Sequence, residues 1–275
     1  MSKIAFIGSG VMAEAMILGI LAHKLYSPEQ IHCSDTLPAR GDFLRERYGV
    51  HTTTDNLAAA EGAETVVLSV KPQVLAEVLG EMKGKIKSDQ LVLSIVAGAT
   101  SQSIQQLLAH GAVVRVMPNT PARIGEGMSV WTSTPEVSPA DSARARSLLQ
   151  ALGKEIYVDH ESDLDKATAL SGTGPAYVFL FMEALVDAGV HMGFPRRIAQ
   201  ELVLQTVKGS VEFAIQANST HLAELRNQVT SPGGTTADAL YQMEKGGLRT
   251  ILSKAVFSAY TKSKRLSEVS SHAQH

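Results

Sequence analysis

The chain passes from its first strand pattern into its first helical pattern within Ile4-Ala5-Phe6-Ile7-Gly8-Ser9-Gly10-Val11-Met12-Ala13, and this junction governs how the remaining sequence is interpreted. Gly8 permits a tight turn, Gly10 lets the backbone approach a pyrophosphate, and Ala13 lets the helix pack closely on the strand. Free N–H groups and the helix dipole attract phosphate charge at such a helix start. The junction predicts a dinucleotide-binding turn with contacts from Gly8, Ser9, Gly10, Val11 and Met12.

Short apolar runs alternate with helical segments on both sides of this turn, over residues 1–160. Several runs are continuously apolar and β-branched, which is typical of strands buried on both faces. Such alternation predicts right-handed crossovers and an α/β fold with a doubly wound, mostly parallel sheet. Ser138 before Pro139 predicts a helix start, where Asp141 completes a capping box. The predicted strands are Ile4–Ile7, Ile31–Ser34, Val50–Thr53, Thr65–Val70, Leu91–Val96, Val113–Met117, Met128–Thr132 and Glu155–Val158.

The pattern changes near residue 160, and from Leu164 onward only long helical stretches are predicted, over about 174–191, 195–217, 236–245 and 247–268. We therefore expect a dinucleotide-binding domain over residues 1–160 and a helical domain over residues 161–275. Residues 176–182 are apolar around the whole helix, so that helix must be buried on all sides. Either a partner subunit covers one face, or the helix is the centre of its own domain's core.

Composition limits the partners and the compartment. The formal net charge of -2 gives no basic field that would attract nucleic acid or an anionic membrane. No apolar run approaches the ~18 residues that span a bilayer. A single cysteine, Cys33, excludes an intramolecular disulfide and fits a reducing compartment, so we expect a cytoplasmic protein. His272 and His275 alone among the nine histidines have metal-ligand spacing, which we ascribe to chance, and we predict no metal site.

Asp35 stands at the end of the second predicted strand, about 25 residues after Gly10. A carboxylate at this place usually accepts hydrogen bonds from an unphosphorylated ribose, which favours NAD. Ser34, Thr36 and Arg40 lie alongside and could hold a 2′-phosphate, which favours NADP, unless Arg40 is only a solvated helix residue. These residues alone leave the choice open.

Other predicted strands also end in small or polar residues, at the edge where open parallel sheets bind ligands. Lys71 could reach a phosphate or a ribose, or it could be a surface lysine. The Asn119 amide could face a nicotinamide, or it could only build a turn. The candidate cofactor contacts beyond the first turn are Ser34, Asp35, Asn56, Ser69, Val70, Lys71, Pro72, Ala97, Gly98, Asn119 and Ser171.

Two segments stand out in the helical part. Residues 170–176 form a predicted loop that ends in proline at the start of the apolar helix, and it either faces the nicotinamide or is only a helix entry. Ser231-Pro232-Gly233-Gly234-Thr235-Thr236 precedes a helix, and Thr235 with Asp238 predicts a capping box. Its glycines leave N–H groups open, so the turn could bind a carboxylate. The alternative is a structural turn with a double-threonine cap.

Together these motifs resemble the pyrroline-5-carboxylate reductase family over essentially the whole chain. The most specific segments are Val70-Lys71-Pro72, Met117-Pro118-Asn119-Thr120-Pro121, Leu170-Ser171-Gly172-Thr173-Gly174-Pro175-Ala176-Tyr177 and the Ser231–Thr236 turn. The resemblance implies an N-terminal Rossmann domain followed by an all-α dimerisation domain. It also implies intertwined dimers, often assembled into decamers, with the active site between the Rossmann domain of one subunit and the helices of the dimer.

The resemblance further implies reduction of 1-pyrroline-5-carboxylate to L-proline, the last step of proline biosynthesis. NADPH is the donor that we expect, with NADH accepted by many members. The implied substrate contacts are Ser231, Gly233, Gly234, Thr235 and Thr236. Thr236 would contact the ring nitrogen and help to deliver a proton, which makes it the expected catalytic residue.

Two other functions fit the sequence less well. A β-hydroxyacid dehydrogenase needs a base, usually a lysine in the helix after the second glycine loop, and Pro175–Glu183 contains none. A non-catalytic NADP-binding regulator would have no need of a carboxylate-binding turn, and the intact Ser231–Thr236 turn argues against it.

Overall fold

A computed structural model describes residues 3–272 of the chain, with side chains described as far as Glu268. Two compact units are present: Met1–Gly174 together with Ala259–His275, and Pro175–Ser258. The division lies beyond the boundary expected from sequence at residue 160. It does so because the helix Asp163–Ala167 still packs on strands of the first unit before the chain leaves it.

The first unit contains an eight-stranded sheet with the strand order β3-β2-β1-β4-β5-β6-β7-β8. Strands β6 and β7 are antiparallel, and every other neighbouring pair is parallel. The predicted doubly wound, mostly parallel sheet is confirmed. The strands are β1 Ile4–Ile7, β2 Ile31–Ser34, β3 His51–Thr53, β4 Thr65–Leu68, β5 Leu91–Ser94, β6 Val113–Met117, β7 Gly127–Ser133 and β8 Gly153–Tyr157.

Strand β1 lies inside the sheet, third from one edge, and is paired in parallel with β2 on one side and β4 on the other. All four of its residues are fully buried. Ile4 and Phe6 enter one apolar layer, while Ala5 and Ile7 enter the layer on the opposite face. Because alternate side chains must fill both layers, a continuously apolar strand is what this position requires.

Helices cover both faces of the sheet. Ser138 caps the sixth helix as predicted, since its Oγ accepts the Asp141 backbone N–H at 3.1 Å. The predicted capping box does not form, because the Asp141 carboxylate accepts from the Ser138 Oγ at 2.6 Å and not from the Ser138 backbone N–H. The lone Cys33 is buried among apolar side chains, which raises the pKa of its thiol to about 12 and keeps it unreactive. The helices of this part are α1 Val11–Ala22, α2 Pro38–Tyr48, α3 Asn56–Ala60, α4 Leu75–Met82, α5 Ser101–Leu108, α6 Pro139–Gln150 and α7 Asp163–Ala167.

The predicted loop over residues 170–176 is wrong, because a π-helical turn, Thr168–Gly172, continues α7 into the next helix. The wide turn is stabilised by Thr173, whose backbone N–H donates to the Thr168 carbonyl oxygen at 2.8 Å. The remaining helices include one that the sequence did not predict, α10. They are α8 Gly174–His191, α9 Arg196–Gln216, α10 Leu222–Gln228, α11 Thr235–Lys245 and α12 Leu248–His272.

Helix α12 belongs to both units. Its C-terminal part returns to the first unit, where the Asp165 carboxylate of α7 accepts hydrogen bonds from Ser263 at 2.7 Å and Ser267 at 3.0 Å. All three residues are buried. A buried carboxylate needs such donors, so these two serines fix this part of α12 to the first unit.

The second unit leaves much of its apolar surface exposed. In α8, Phe179 is 60% and Leu180 is 66% exposed, and Phe213 in α9 is 53% exposed. The helix is therefore not the centre of a core within its own unit, and patches of this kind mark an interaction surface. By length and composition alone the helical run Asp163–His191 could also cross a membrane, which the sequence had not led us to expect.

A steric limit in the sheet gives the first prediction. A methyl group built on Gly153 overlaps the main chain of Gly127, its partner across the β7–β8 pair. Gly153→Ala should lower the free energy of unfolding by about 3 kcal/mol, measured by denaturant titration. Gly80→Ala is the matched control. Gly80 is exposed on α4 with nothing within 4 Å of the added methyl, so this change should stabilise by about 0.5 kcal/mol. If Gly153→Ala and Gly80→Ala lowered the free energy of unfolding equally, the steric explanation would be wrong.

Candidate active site

The glycine turn after β1 is fixed to both neighbouring strands. Gly8 has φ +87°, and a Cβ built on it would lie 2.8 Å from the Val70 side chain. Its N–H donates to the Ser34 carbonyl oxygen at 3.0 Å, and its own carbonyl oxygen accepts the Ser69 hydroxyl at 2.6 Å. A residue with a side chain could adopt neither this φ nor this packing. The turn is therefore held where the strand order reverses, the usual ligand site of such sheets.

Helix α1 begins at this turn without a side-chain cap. Its N-cap is Gly10, and a Cβ built on Gly10 meets no atom within 4 Å. The N–H groups of the first turn thus face open space that a side chain at Gly10 would fill. Backbone donors, the helix dipole and this clearance fit the pyrophosphate of a dinucleotide.

Asp35 lies beside the turn, as its place at the end of β2 predicts, but its carboxylate is occupied by protein donors. Oδ2 accepts the Ser9 backbone N–H at 3.1 Å and the Ser9 hydroxyl at 2.9 Å. Oδ1 accepts the Leu37 backbone N–H at 3.0 Å. The carboxylate is thus directed at the glycine turn. We call the two bonds between Ser9 and Asp35 the Ser9–Asp35 clasp.

Arg40 holds the turn from the side of α1, so its interpretation as a solvated helix residue is wrong. Its guanidinium donates to the Ser9 carbonyl oxygen at 2.7 Å and to the Glu14 carboxylate at 2.6 Å. The Tyr48 hydroxyl donates to the other Glu14 oxygen at 2.7 Å. Partial burial opposes ionisation of Glu14, but the bonds from Tyr48 and Arg40 outweigh it and lower the pKa of Glu14.

Glu14 and Tyr48 were not identified from the sequence as site residues. An acidic residue in the first turn of a helix is favoured by the helix dipole, and this position was the one sequence feature that could have drawn attention to Glu14.

Ser34, the last residue of β2, and Asn56, the first residue of α3, support each other beside the glycine turn. The Ser34 side chain is fully buried, and its hydroxyl donates to the Asn56 side-chain oxygen at 2.7 Å. The Asn56 amide in turn donates to Glu81 at 3.2 Å. We therefore revise the expected role of Ser34 from a phosphate contact to a support for Asn56, because its hydroxyl points into the sheet unit.

The next two strand ends present an exposed rim. Lys71 and Pro72, after β4, and Ala97, after β5, are all exposed. Gly98 is buried, and a Cβ built on it would lie 3.1 Å from Leu266 of α12. The rim thus offers Lys71, Pro72 and Ala97 to a ligand, while α12 supports it from behind.

Asn119 joins the end of β6 to the π-helical turn. Its side-chain oxygen accepts the Met128 backbone N–H at 2.9 Å, and its amide donates to the Ser171 hydroxyl at 3.2 Å. Gly172 packs against Met117, whose methyl group leaves no room for a Cβ there. Asn119 is therefore a turn-building residue in this structure, and it brings Ser171 to the same sheet edge as the rim. Insertions of π-helical geometry are frequent at functional sites.

The Ser231–Thr236 turn in the second unit provides a second uncapped helix start. Gly233 has φ +69°, and the Gly234 N–H donates to the Ser231 carbonyl oxygen at 3.1 Å. The N-cap of α11 is Gly234, with no side-chain cap, and Thr235 is already helical. The predicted capping box at Thr235 is wrong for this reason. The first N–H groups of α11 are consequently left to a ligand, in a turn where Ser231 and Thr235 are exposed and Thr236 is half-buried.

No cluster of three or more histidine, cysteine or acidic side chains that could hold a metal ion occurs among the described residues. The His272 and His275 side chains lie outside the described part. The two turns offer backbone donors to two anions, one in each unit. Such an arrangement suits a reaction in which a cofactor carries the chemistry and the protein binds and orients.

Comparison with family models covers most of the chain. Residues 161–266 match the model described as pyrroline-5-carboxylate reductase dimerisation. Residues 3–98 match the model described as NADP oxidoreductase, coenzyme F420-dependent. The helical unit Pro175–Ser258 thus lies within the residues that match a dimerisation model, and the chain associates with itself.

Individual relatives match along almost their whole length. A pyrroline-5-carboxylate reductase from Synechocystis is 43% identical, over 96% of this chain and 98% of its own. A solved pyrroline-5-carboxylate reductase from Coxiella burnetii is 38% identical with a TM-score of 0.88, covering 97% of this chain and 98% of that one. A pyrroline carboxylate reductase from Plasmodium falciparum, solved with NADP bound, is 32% identical with a TM-score of 0.88, at the same coverage. On this evidence the chain belongs to the pyrroline-5-carboxylate reductase family.

Proposed function

We propose that this chain reduces 1-pyrroline-5-carboxylate to L-proline with hydride from NADPH, accepts NADH as an alternative donor, and so performs the last step of proline biosynthesis. The observation that carries the proposal is the pair of uncapped helix starts, at Gly10 and at Gly234, in a chain 43% identical to a pyrroline-5-carboxylate reductase over nearly its full length. One suits a pyrophosphate and the other a small carboxylate.

NADPH supplies the hydride when it is bound. The backbone of Gly8–Met12 holds the pyrophosphate, because the first N–H groups of α1 have no side-chain cap. Lys71, Pro72 and Ala97 contact the cofactor along the exposed rim. The relative with NADP bound and the NADP oxidoreductase match over residues 3–98 support this choice of donor.

The substrate carboxylate binds at the Ser231–Thr236 turn. The Gly233 and Thr235 backbone N–H groups and the Ser231 hydroxyl donate to it, while the Gly234 N–H keeps its bond to the Ser231 carbonyl oxygen and so shapes the turn. The positive end of the α11 dipole adds to the attraction. Fixing the carboxylate also fixes the ring, so the electrophilic C=N carbon is held in one orientation. The protein's main contribution to the rate is this positioning.

Thr236 handles the proton. Hydride adds to the C5 carbon of the imine, and the ring nitrogen must carry a proton for L-proline to form. The Thr236 hydroxyl, in the first turn of α11, hydrogen-bonds this nitrogen and relays a proton from solvent water to it, so the hydroxyl is protonated again as it gives up its own proton. An imine that is already electrophilic needs little further acid–base assistance, so this contribution is smaller than that of positioning.

The open space at Gly10 tests the cofactor site. Gly10→Ala should leave the melting temperature unchanged, since the new methyl meets no protein atom within 4 Å. It should weaken NADPH binding by roughly tenfold, because the methyl occupies the approach of the pyrophosphate. Calorimetry with NADPH measures this, and Gly80→Ala on α4 is the matched control. Unchanged affinity would contradict the assignment of the pyrophosphate to this turn.

The catalytic proposal is tested by NADPH oxidation with racemic 1-pyrroline-5-carboxylate. The wild-type chain should oxidise NADPH when 1-pyrroline-5-carboxylate is added. Thr236→Ala should lower kcat by roughly tenfold with little change in NADPH affinity. Thr236→Ser keeps the hydroxyl and should restore most of the rate. If the wild-type chain gave no turnover, the non-catalytic regulator would be favoured. If kcat and NADPH affinity fell together in Thr236→Ala, the role given to Thr236 would be wrong.

The oligomer is proposed to be an intertwined dimer that assembles into a decamer, in the cytoplasm and without a nucleic acid or membrane partner. The exposed apolar surface of α8 supports the dimer, and the net charge of -2 supports the absence of nucleic acid. Light scattering should give ten times the chain mass of 29.3 kDa.

Leu180→Glu should dissociate this oligomer, because a charge would be buried in the dimer contact. Leu25→Glu, at an exposed apolar residue of the first unit, should leave the mass unchanged.

The absence of a membrane partner is tested separately. After cell lysis and ultracentrifugation, the wild-type protein should remain in the supernatant. Recovery in the membrane pellet would favour a membrane-spanning role for Asp163–His191.

A further inference from the structure

The Ser9–Asp35 clasp determines the direction in which the Asp35 carboxylate faces at the end of β2. Asp35 accepts three hydrogen bonds from the protein, two from Ser9 and one from the Leu37 backbone. Ser9 is itself 1% exposed, and its carbonyl oxygen is held by the Arg40 guanidinium at 2.7 Å. The clasp is therefore supported on both sides and cannot be rearranged by a rotation of Ser9 alone.

The direction of this carboxylate matters for one part of a dinucleotide. In a Rossmann domain a carboxylate at the end of β2 can accept hydrogen bonds from a free ribose 2′-hydroxyl. A 2′-phosphate at the same place carries close to two negative charges, which an outward-facing carboxylate repels. A carboxylate turned inward shares its charge among three donors, so it repels the 2′-phosphate less. It is also a weaker hydrogen-bond acceptor for a ribose 2′-hydroxyl, because its oxygens already accept bonds from the protein.

We propose that Ser9 determines the preference of this chain for nucleotides with a 2′-phosphate, by holding Asp35 against the glycine turn. The inference rests on the proposed use of NADPH and names the residue responsible. Ser9 acts as a positioning residue, since its effect passes through Asp35. Loss of its hydroxyl removes one of the three donors and leaves only the backbone N–H groups of Ser9 and Leu37 on the carboxylate. Asp35 is then held less firmly against the glycine turn and faces the ribose more often, which favours NADH over NADPH.

The test uses binding of nucleotide fragments, so that it does not depend on turnover. Adenosine 2′,5′-bisphosphate and AMP differ only by the 2′-phosphate, and calorimetry gives both affinities on the intact protein. The wild-type chain should prefer the bisphosphate. Ser9→Ala should lower the ratio of the two affinities by roughly fivefold. Ser147→Ala, the same change at an exposed serine of α6, should leave the ratio at its wild-type value.

A second variant tests whether the effect passes through Asp35. Asp35→Asn alone should raise the ratio, because the charge that opposes the phosphate is removed. In the Asp35→Asn background, Ser9→Ala should no longer lower the ratio. The proposal is overturned if the wild-type chain shows no preference, if Ser9→Ala weakens both ligands equally, or if its effect persists without the Asp35 charge. A wild-type chain that binds the fragments as expected but fails to oxidise NADPH would overturn the proposed function and leave this inference standing.

Discussion

The close approach of the β1 and β4 ends at Gly8 is the constraint on which the rest of the first unit depends. The absence of a side chain at Gly8 lets Val70 and Ser69 pack against the turn, and the Ser34 carbonyl oxygen holds it from the side of β2. Three strand ends are thereby joined at one point. Helix α1 can only start above that point, and the direction of its first N–H groups follows from the sheet rather than from any side chain.

Recognition by main-chain groups recurs at the start of α11. Both helix starts have glycine as N-cap and no side-chain cap, so in both the donors that a serine or aspartate would satisfy are left to a ligand. The side chains around the first site bind the protein itself: Arg40, Glu14 and Tyr48 hold the turn, and Asn119 links the end of β6 to the π-helical turn. Each turn can thus bind and orient one charged ligand without supplying a strong acid or base.

The main features of the fold could be predicted from the sequence because they depend on local patterns. Apolar runs located the strands, and Ser138 with Asp141 located a helix start. What could not be predicted depended on distant partners. The direction of the Asp35 carboxylate is set by Ser9, 26 residues away, and the role of Arg40 by main-chain atoms 31 residues away. The start of α11 was misplaced because Gly234 and Thr235 can both precede a helix, and only the backbone geometry decides between them.

The return of α12 to the first unit also bears on how the protein is made. Asp165 is buried, and its two serine donors lie 98 and 102 residues further along the chain. The ribosome releases the N-terminal strands long before those serines exist, so during synthesis this carboxylate has neither donor. The Rossmann part of the enzyme therefore completes its own packing only once Ser263 and Ser267 have been made, after the dimerisation helices that precede them in the chain.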